Sequence, residues 1–139
     1  MITDSNALLQ AIGADALRAA PDEWLQITIN VSGAGSGTEI ESSVLTPHGA
    51  QDLEMSINGD VALDDLREAM YQEGTGTWYR ATFTIDSAGQ IEADFDYDAK
   101  PYDPMDEGQD YITEMLLEDQ DLYPRDQDHL PDWHPAKTR

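Results

Sequence analysis

Hydrophobic and polar residues alternate strictly along two arms of the segment from Trp78 to Asp98. Period-two alternation over this length is typical of an antiparallel hairpin with one buried face. The turn spans residues 86–90, and Gly89 is the last residue of its three-residue loop, which suits a type I turn followed by a left-handed residue. The apolar residues that share one face, and that are predicted to enter the core, are Tyr79, Ala81, Phe83, Ile85, Ile91, Ala93, Phe95 and Tyr97.

The turn also determines which residues face each other on the polar side of the hairpin. With Asp86 opposite Gln90, the predicted polar pairs are Arg80–Asp96, Thr82–Asp94, Thr84–Glu92 and Trp78–Asp98. One cation therefore meets several carboxylates beside a tryptophan. This polar side is the first surface of the chain that needs a functional explanation.

The pattern in the rest of the chain predicts an α+β fold built on an antiparallel meander. The predicted elements are a helix over 4–19, strands over 24–31, 38–46 and 51–57, a helix over 61–73 capped by Asp60, and a helix over 106–121. Together with the hairpin they form a sheet of about five strands, with helices at the N-terminus, the centre and the C-terminus. We expect residues 1–139 to form one domain, with the Pro-rich tail at 123–139 partly docked.

The overall charge narrows the classes of partner. The chain carries 29 acidic and 7 basic residues, a formal net charge of −22. Nucleic acids and anionic membranes are therefore poor partners, and a basic protein is favoured. General acidity of the proteins of a salt-adapted organism is the alternative explanation. No apolar run is long enough to span a membrane and the N-terminus lacks the features of a signal peptide, so a cytoplasmic location is expected.

The acidic residues are concentrated in the second half of the chain. Between residues 92 and 132 there are fifteen acids and two bases, which account for −13 of the net charge. In the last predicted helix, Asp106, Asp110, Glu114 and Glu118 recur at i,i+4 spacing, and Asp121 follows near its end. Like charges at this spacing destabilise a helix. Since no lysine is placed to compensate, we expect a cationic partner to do so, and a solvated face that maintains solubility is the alternative.

Catalytic and metal-binding motifs are absent from the sequence. Asp94-x-Asp96-x-Asp98 invites comparison with a calcium loop, but no count from these residues places Gly sixth and Glu twelfth. There is no nucleophile elbow, phosphate-binding loop or cysteine. The histidines lack the helical spacing of a zinc pair and are expected on the surface: His48, His129 and His134. We expect no enzymatic activity, no cofactor and no metal site.

A series of short motifs marks the chain between about residues 60 and 134. They are Leu66-Arg67-Glu68, Gly76-Thr77-Trp78, Ile85-Asp86-Ser87-Ala88-Gly89, Phe95-Asp96-Tyr97-Asp98, Tyr123-Pro124 and Pro131-x-Trp133. In this order the motifs resemble the YezG-like immunity proteins of bacterial polymorphic toxin systems. The resemblance implies a cytoplasmic antitoxin that binds and blocks the toxic domain of a secreted protein, often a nuclease or another nucleic-acid-modifying enzyme.

The acidic surfaces and this resemblance lead to one hypothesis about the binding site. The polar side of the hairpin and the acidic face of the last helix would cover the cationic cleft of a basic toxin domain. Affinity would come from a few aromatic anchors that lose their water in the contact, and the candidates are Trp78, Tyr102 and Trp133. Core packing explains each of these three at least equally well. The residues predicted to bind the partner are Trp78, Arg80, Asp94, Asp96, Asp98, Tyr102, Asp106, Asp110, Glu114, Glu118, Asp121 and Trp133. The alternatives are an acidic decoy that mimics nucleic acid and sequesters basic proteins, and a small calcium-binding module.

Overall fold

The computed structural model describes residues 5–102 and 108–138. The elements in chain order are α1 (Ser5–Ala19), β1 (Gln26–Ala34), β2 (Gly37–Thr46), β3 (Gly49–Asp52), α2 (Ile57–Ala69), β4 (Arg80–Asp86), β5 (Ile91–Asp96), α3 (Gln109–Leu122) and a short 3-10 helix (Gln127–His129). The predicted α+β class is confirmed, with helices near the N-terminus, the centre and the C-terminus.

The five strands form one antiparallel sheet in the order β3-β2-β1-β4-β5. The first three strands follow one another as hairpins, and α2 then carries the chain across so that β4 pairs with the free side of β1. The hairpin of β4 and β5 has the predicted register, with Phe83 opposite Ala93. A shift by one residue would move Phe83 to the solvent side, which is why the alternation defines the register.

The main core lies between one face of this sheet and the helices α1 and α2. Strand residues such as Ile29 and Phe83 are fully buried there. The two helices approach each other closely at Gly59, where a Cβ atom would clash with a carboxylate oxygen of Asp15. The helices contribute to this core the buried residues Leu8, Ile12, Ala16, Ala62, Leu63 and Leu66.

Helix α2 begins at Ile57, earlier than the predicted start at residue 61, and the predicted cap at Asp60 is wrong. The carboxylate of Asp15 accepts a hydrogen bond from the Ser56 N–H at 2.9 Å and another from the Ser56 hydroxyl. This contact from α1 holds the chain at the point where α2 starts. The start of the helix is therefore determined by a tertiary contact instead of by a local capping residue.

Two strand boundaries also differ from the prediction. Strand β1 extends through Ala34, because residues 32–34 pair with residues 37–39 of β2 and leave only Gly35 and Ser36 in the turn. Strand β3 spans Gly49–Asp52 instead of residues 51–57. In β1, the neighbouring strand β2 provides backbone hydrogen-bond partners to residues whose side chains indicated a turn. Strand β3 ends at Asp52 although the alternation continues, and Ile57 begins α2 instead.

Helix α3 packs against the end of β1 through a second, smaller core. Its buried members are Ala34, Tyr79, Tyr102, Ile112 and Leu116. The helix begins at Gln109, and the predicted start at residue 106 lies outside the described residues. Beyond α3 the chain stays in contact with the protein, since Arg125, Leu130 and His134 of the tail are buried.

Candidate functional site

The polar side of the β4–β5 hairpin faces away from α1 and α2, as the alternation predicts. Arg80 pairs with Asp96 and Thr82 pairs with Asp94 across the two strands. Both carboxylates are exposed, whereas Arg80 is half-buried. The structure therefore brings these three predicted site residues together on one surface that the main core leaves uncovered.

Arg80 does not neutralise this surface by direct ion pairing. Its Nε donates a hydrogen bond to the Lys100 carbonyl at 2.7 Å, and its Nη2 donates to the Tyr102 carbonyl at 3.0 Å. The guanidinium therefore ties down the segment that follows β5. Among the described residues, neither Asp94 nor Glu92 takes part in an ion pair.

Asp96 ends β5 and organises the chain beyond it. Its Oδ1 accepts hydrogen bonds from the N–H groups of Asp98 and Ala99, both at 2.9 Å. These two N–H groups, with a smaller contribution from the charge of Arg80, hold the pKa of Asp96 below its ordinary value. The side chain is therefore firmly ionised at neutral pH.

Asp98 and Trp133 are both predicted site residues, and the structure brings them into contact. The indole N–H of Trp133 donates a hydrogen bond to the Asp98 carbonyl at 2.8 Å. The ring of Trp133 meets Tyr79 edge-on, with 5.3 Å between ring centroids. Trp133 is half-buried and the carboxylate of Asp98 is exposed. Trp133 therefore anchors the tail, and only part of its ring is accessible to a partner.

Trp78 is not available as an anchor for a partner, because its side chain is fully buried, and the core-packing interpretation applies to it. Its ring contacts Phe95 at a centroid distance of 5.7 Å, and the guanidinium of Arg67 lies 5.9 Å from the ring. The alternation of buried and partly exposed residues holds within β4, from Arg80 onward, and does not extend to the residues before it. Before that point Trp78 and Tyr79 are both buried, one in each of the two cores.

Tyr102 is also unavailable as an anchor, since it is 2% exposed. Its hydroxyl accepts a hydrogen bond from the Ala34 N–H at 3.0 Å and lies within hydrogen-bonding distance of the Gly37 carbonyl. Burial raises the pKa of Tyr102 far above its ordinary value. The core-packing interpretation of this residue is therefore the correct one, and its hydroxyl closes the β1–β2 turn.

The acidic face predicted for α3 forms only in part. Asp110, Glu114 and Asp121 are exposed. Glu118 is half-buried beside the β1–β2 turn, where a Cβ atom on Gly35 would lie 3.0 Å from the Glu118 Cβ. The predicted first member of the row, Asp106, lies outside the described residues.

Asp119 has a role that the sequence does not reveal. It is 2% exposed, and its Oδ1 lies 2.5 Å from Nη1 of the equally buried Arg67. The same oxygen accepts a hydrogen bond from the Gly35 N–H at 2.8 Å. This acid near the C-terminal end of α3 is therefore compensated inside the protein and needs no external cation. The sequence gives one indication of this pairing, because Arg67 follows Leu63 at i+4 and therefore lies on the buried side of α2.

A second buried arginine lies on the other side of Tyr79. The guanidinium of Arg125 stacks on the Tyr79 ring at 4.2 Å and donates hydrogen bonds to the Thr77 carbonyl at 2.8 Å and the His129 carbonyl at 3.0 Å. Burial is the main cause that raises the pKa of Tyr79 to about 12, while the positive charge of Arg125 opposes it. We call the set Arg67, Tyr79, Asp119, Arg125 and His134 the buried arginine cluster.

The prediction that the histidines lie on the surface holds for His48 and His129 and is wrong for His134. The Nδ1 atom of His134 accepts a hydrogen bond from the Ala136 N–H at 3.0 Å. Burial lowers the pKa of His134, Asp119 opposes this shift, and Arg125 adds to it. In the part of the chain that the structure describes, no group of three or more His, Asp or Glu side chains could hold a metal ion.

Comparison with known proteins adds no family assignment, since no family model and no curated protein matches the chain. Within residues 5–102 and 108–138, none of the helices has the length and apolar character needed to cross a membrane.

Proposed function

We propose that this protein is an immunity protein that binds a cognate basic toxin domain and occludes its active site. The proposal rests on one observation, which is that exposed carboxylates far outnumber the basic side chains that could neutralise them within the protein. The net charge is −22, and the ion pairs Arg18–Asp15 and Arg67–Asp119 both use carboxylates that are buried. Exposed acids such as Glu92, Asp94, Asp110 and Glu114 therefore keep their charge available for a partner.

Such a surface acts first on the rate of association. Complementary charge steers a basic partner into contact and raises the association rate constant toward about 10⁸ M⁻¹s⁻¹ at low salt. A toxin that acts on nucleic acid needs a cationic cleft for its phosphate-rich substrate. An acidic protein that occupies this cleft binds its cationic residues in place of the substrate and sterically excludes the substrate. Inhibition therefore requires no chemical reaction by the immunity protein.

The exposed members of the predicted site support this mechanism. Asp94, Asp96 and Asp98 project from one edge of the sheet, and Asp110 and Glu114 project from α3. The buried aromatics Trp78 and Tyr102 have no part in the contact, because they already pack inside the monomer. The site of action would be the cytoplasm of the cell that produces the toxin, where the two proteins are made together.

The experiment that tests this proposal co-expresses the protein with the toxic domain encoded immediately upstream of it. We expect growth of the host to be restored, and the purified pair to elute as a one-to-one complex. A toxic domain from an unrelated system is the control, and it should neither be neutralised nor bound.

Two outcomes would contradict the proposal. If the upstream domain is not bound and growth is not restored, the protein is not its antitoxin. If assorted basic proteins from a lysate are captured instead, and this capture is lost at moderate salt, the protein acts as an acidic decoy.

A further inference from the structure

The polar side of the hairpin is one half of a wider surface that includes the meander. In the middle of the sheet, Glu41 of β2 pairs with Asn30 of β1, Asn30 pairs with Thr82 of β4, and Thr82 pairs with Asp94 of β5. All four side chains belong to the side of the sheet opposite to the main core, since they alternate with buried residues in β1 and β4. We call this side of the sheet the open face.

The neighbouring rows of the open face also end in carboxylates. On one side of the middle row, the paired residues run from Asp52 on β3 to Glu92 on β5, with serine and threonine between them. On the other side they run from Glu39 on β2 to Asp96, with Ser32 and Arg80 between them. Each row therefore has a carboxylate at both ends.

The result is two acidic borders that flank a stripe of Ser, Thr and Asn groups, and in the row of Glu39 this stripe ends at the buried Ser32 and at Arg80. With strands about 4.8 Å apart, the two carboxylates of the middle row are separated by about 14 Å. Acids two residues apart on one strand, as in β5 and at Glu39 and Glu41 of β2, recur at about 7 Å. A folded helix or an extended segment fits between the borders, since a helix with its side chains is about 10–12 Å wide.

Most of the border acids are not neutralised within the protein. The base of the open face, Arg80, uses its guanidinium on two backbone carbonyls beyond β5. In the part of the chain that the structure describes, the carboxylates of Glu41, Asp52, Glu92 and Asp94 make no ion pair. In the centre, the Thr82 hydroxyl donates to the Asn30 side-chain oxygen at 3.0 Å, so this stripe satisfies itself without charge.

The open face is also recessed. A depression of about 790 Å³ is lined by Asn30, Ser32, Glu39, Glu41, Arg80 and Tyr102. A second depression, of about 470 Å³, adjoins it and shares Asn30 and Glu41. Leu45 lies beyond them on the same side of β2 and is 42% exposed, which provides an apolar contact at one end.

We propose that the open face is the docking surface of this protein, and that its occupant is a segment of the partner rich in Arg and Lys. The cationic side chains would extend to both acidic borders, and the centre of the segment would lie over the Ser/Thr/Asn stripe. The identity of the partner as a toxin domain rests on the proposed function, whereas the location and the charge of the contact rest on the sheet.

The test compares variants that remove equal charge from different surfaces. Glu41→Gln with Asp94→Asn removes one acid from each border. Asp22→Asn with Glu68→Gln is the matched control, since both acids are exposed, Asp22 lies in the turn after α1, and Glu68 belongs to α2, which packs on the opposite face of the sheet. We expect the border variant to raise the Kd for the cognate toxin domain at least about tenfold at low salt, and the control to change it less than about threefold.

A third pair, Asp110→Asn with Glu114→Gln, removes the same charge from α3. The inference would be overturned if the border pair and the control pair weaken toxin binding equally, or if the α3 pair weakens it more than the border pair does. Either result would leave the proposed function intact. Circular dichroism of each variant establishes that the comparison is made between folded proteins.

If the wild-type protein does not bind the toxin domain, the proposed function fails and a second probe tests the open face by itself. An oligoarginine peptide is titrated into the isotope-labelled full chain, and amide chemical shifts are followed by nuclear magnetic resonance. Shifts centred on Thr28, Asn30, Thr82 and Thr84 support the docking surface. Shifts centred on α3, or none at all, contradict it.

Discussion

The protein holds its charged groups in two contrasting regions, the buried arginine cluster and the open face. In the cluster, Arg67 and Asp119 meet at 2.5 Å with almost no exposure, and Arg125 stacks on Tyr79. On the open face, carboxylates stand in rows and most of them have no counter-charge among the described residues. The cluster uses opposite charges to join α2, α3 and the tail, so a change there acts on the fold. Among the described residues of the open face, Glu41, Asp52, Glu92 and Asp94 make no such pair, so we expect a change there to act on the proposed recognition and to leave the fold intact.

The cluster is also a costly arrangement, because not all of its polar atoms have partners. Among the described residues, Arg67 Nη2, Arg125 Nε and His134 Nε2 are buried without a hydrogen bond. The stability of a buried charged group depends strongly on each of its remaining hydrogen-bond partners, because no water molecule can replace a partner that is lost. This dependence predicts that single substitutions in the cluster have large effects on folding.

The largest effect is expected from Arg67→Met, which leaves Asp119 as an unpaired buried charge. The free energy of unfolding should fall by about 3–5 kcal/mol in urea denaturation. The double variant Arg67→Met with Asp119→Asn should recover part of this loss, because the amide side chain that replaces the carboxylate carries no charge and can still accept the hydrogen bond from the Gly35 N–H.

Arg18→Met is the matched control for Arg67→Met. Arg18 also pairs with a buried acid, Asp15 at 3.3 Å, but its own side chain is 67% exposed and Asp15 keeps its hydrogen bonds to Ser56. Its removal should cost less than about 1 kcal/mol. Equal losses for the two arginines would contradict the distinction between buried and exposed charge.

A smaller loss is expected from Tyr102→Phe, which removes the hydroxyl that closes the β1–β2 turn. The Ala34 N–H would lose its hydrogen-bond acceptor, so unfolding should require about 1–3 kcal/mol less. Tyr97→Phe is the control, since the Tyr97 hydroxyl makes no hydrogen bond within the described residues, and it should change stability by less than about 0.5 kcal/mol. If both variants lose the same amount, the hydroxyl of Tyr102 has no special role.

The cluster should also make stability depend on pH through His134. Burial lowers the pKa of His134 in the folded protein, while the unfolded chain binds a proton near the ordinary value of 6.5. His134 therefore contributes to the free energy of unfolding fully above pH 6.5, and this contribution is lost as the pH falls through the lowered pKa of the folded state. Urea unfolding between about pH 8 and pH 5 should show this loss in the wild type and a smaller loss in His134→Gln.

His129→Gln is the control for this pH effect, because His129 is exposed. It should retain the pH dependence of the wild type over the same range. If instead His134→Gln retains it, the loss of stability comes from groups other than His134.

The smallest effect on folding is expected on the open face. Glu41→Gln with Asp94→Asn should change the free energy of unfolding by less than about 0.5 kcal/mol, with a slight gain at low salt because two mutually repelling charges are removed. Added salt should reduce this gain by screening. A loss comparable to that of Arg67→Met would show that these acids support the fold, and the contrast between the two regions would fail.

Much of the fold could be predicted because short-range sequence patterns determine its helices and strands. The alternation from Arg80 to Asp96 and the left-handed Gly89 define the hairpin and its register within a few residues of chain. The same alternation correctly placed Asp94 and Asp96 on a surface away from the core. The boundaries of β1, β3 and α2 were wrong because they depend on partners from other elements, such as the contact of Asp15 with Ser56.

By itself, the sequence determined the α+β class, the hairpin register and the acidic character of the surfaces, because periodicity and composition are local properties. Only the tertiary structure decided which polar residues are buried. Trp78 and Tyr102 lie inside, and Asp119 is neutralised by Arg67. Only the tertiary structure also joined Glu41 and Asp94 in one row, since this pairing passes through two intervening strands. Contacts between residues distant in sequence leave no local periodic signal, so the open face becomes visible only when the sheet is assembled.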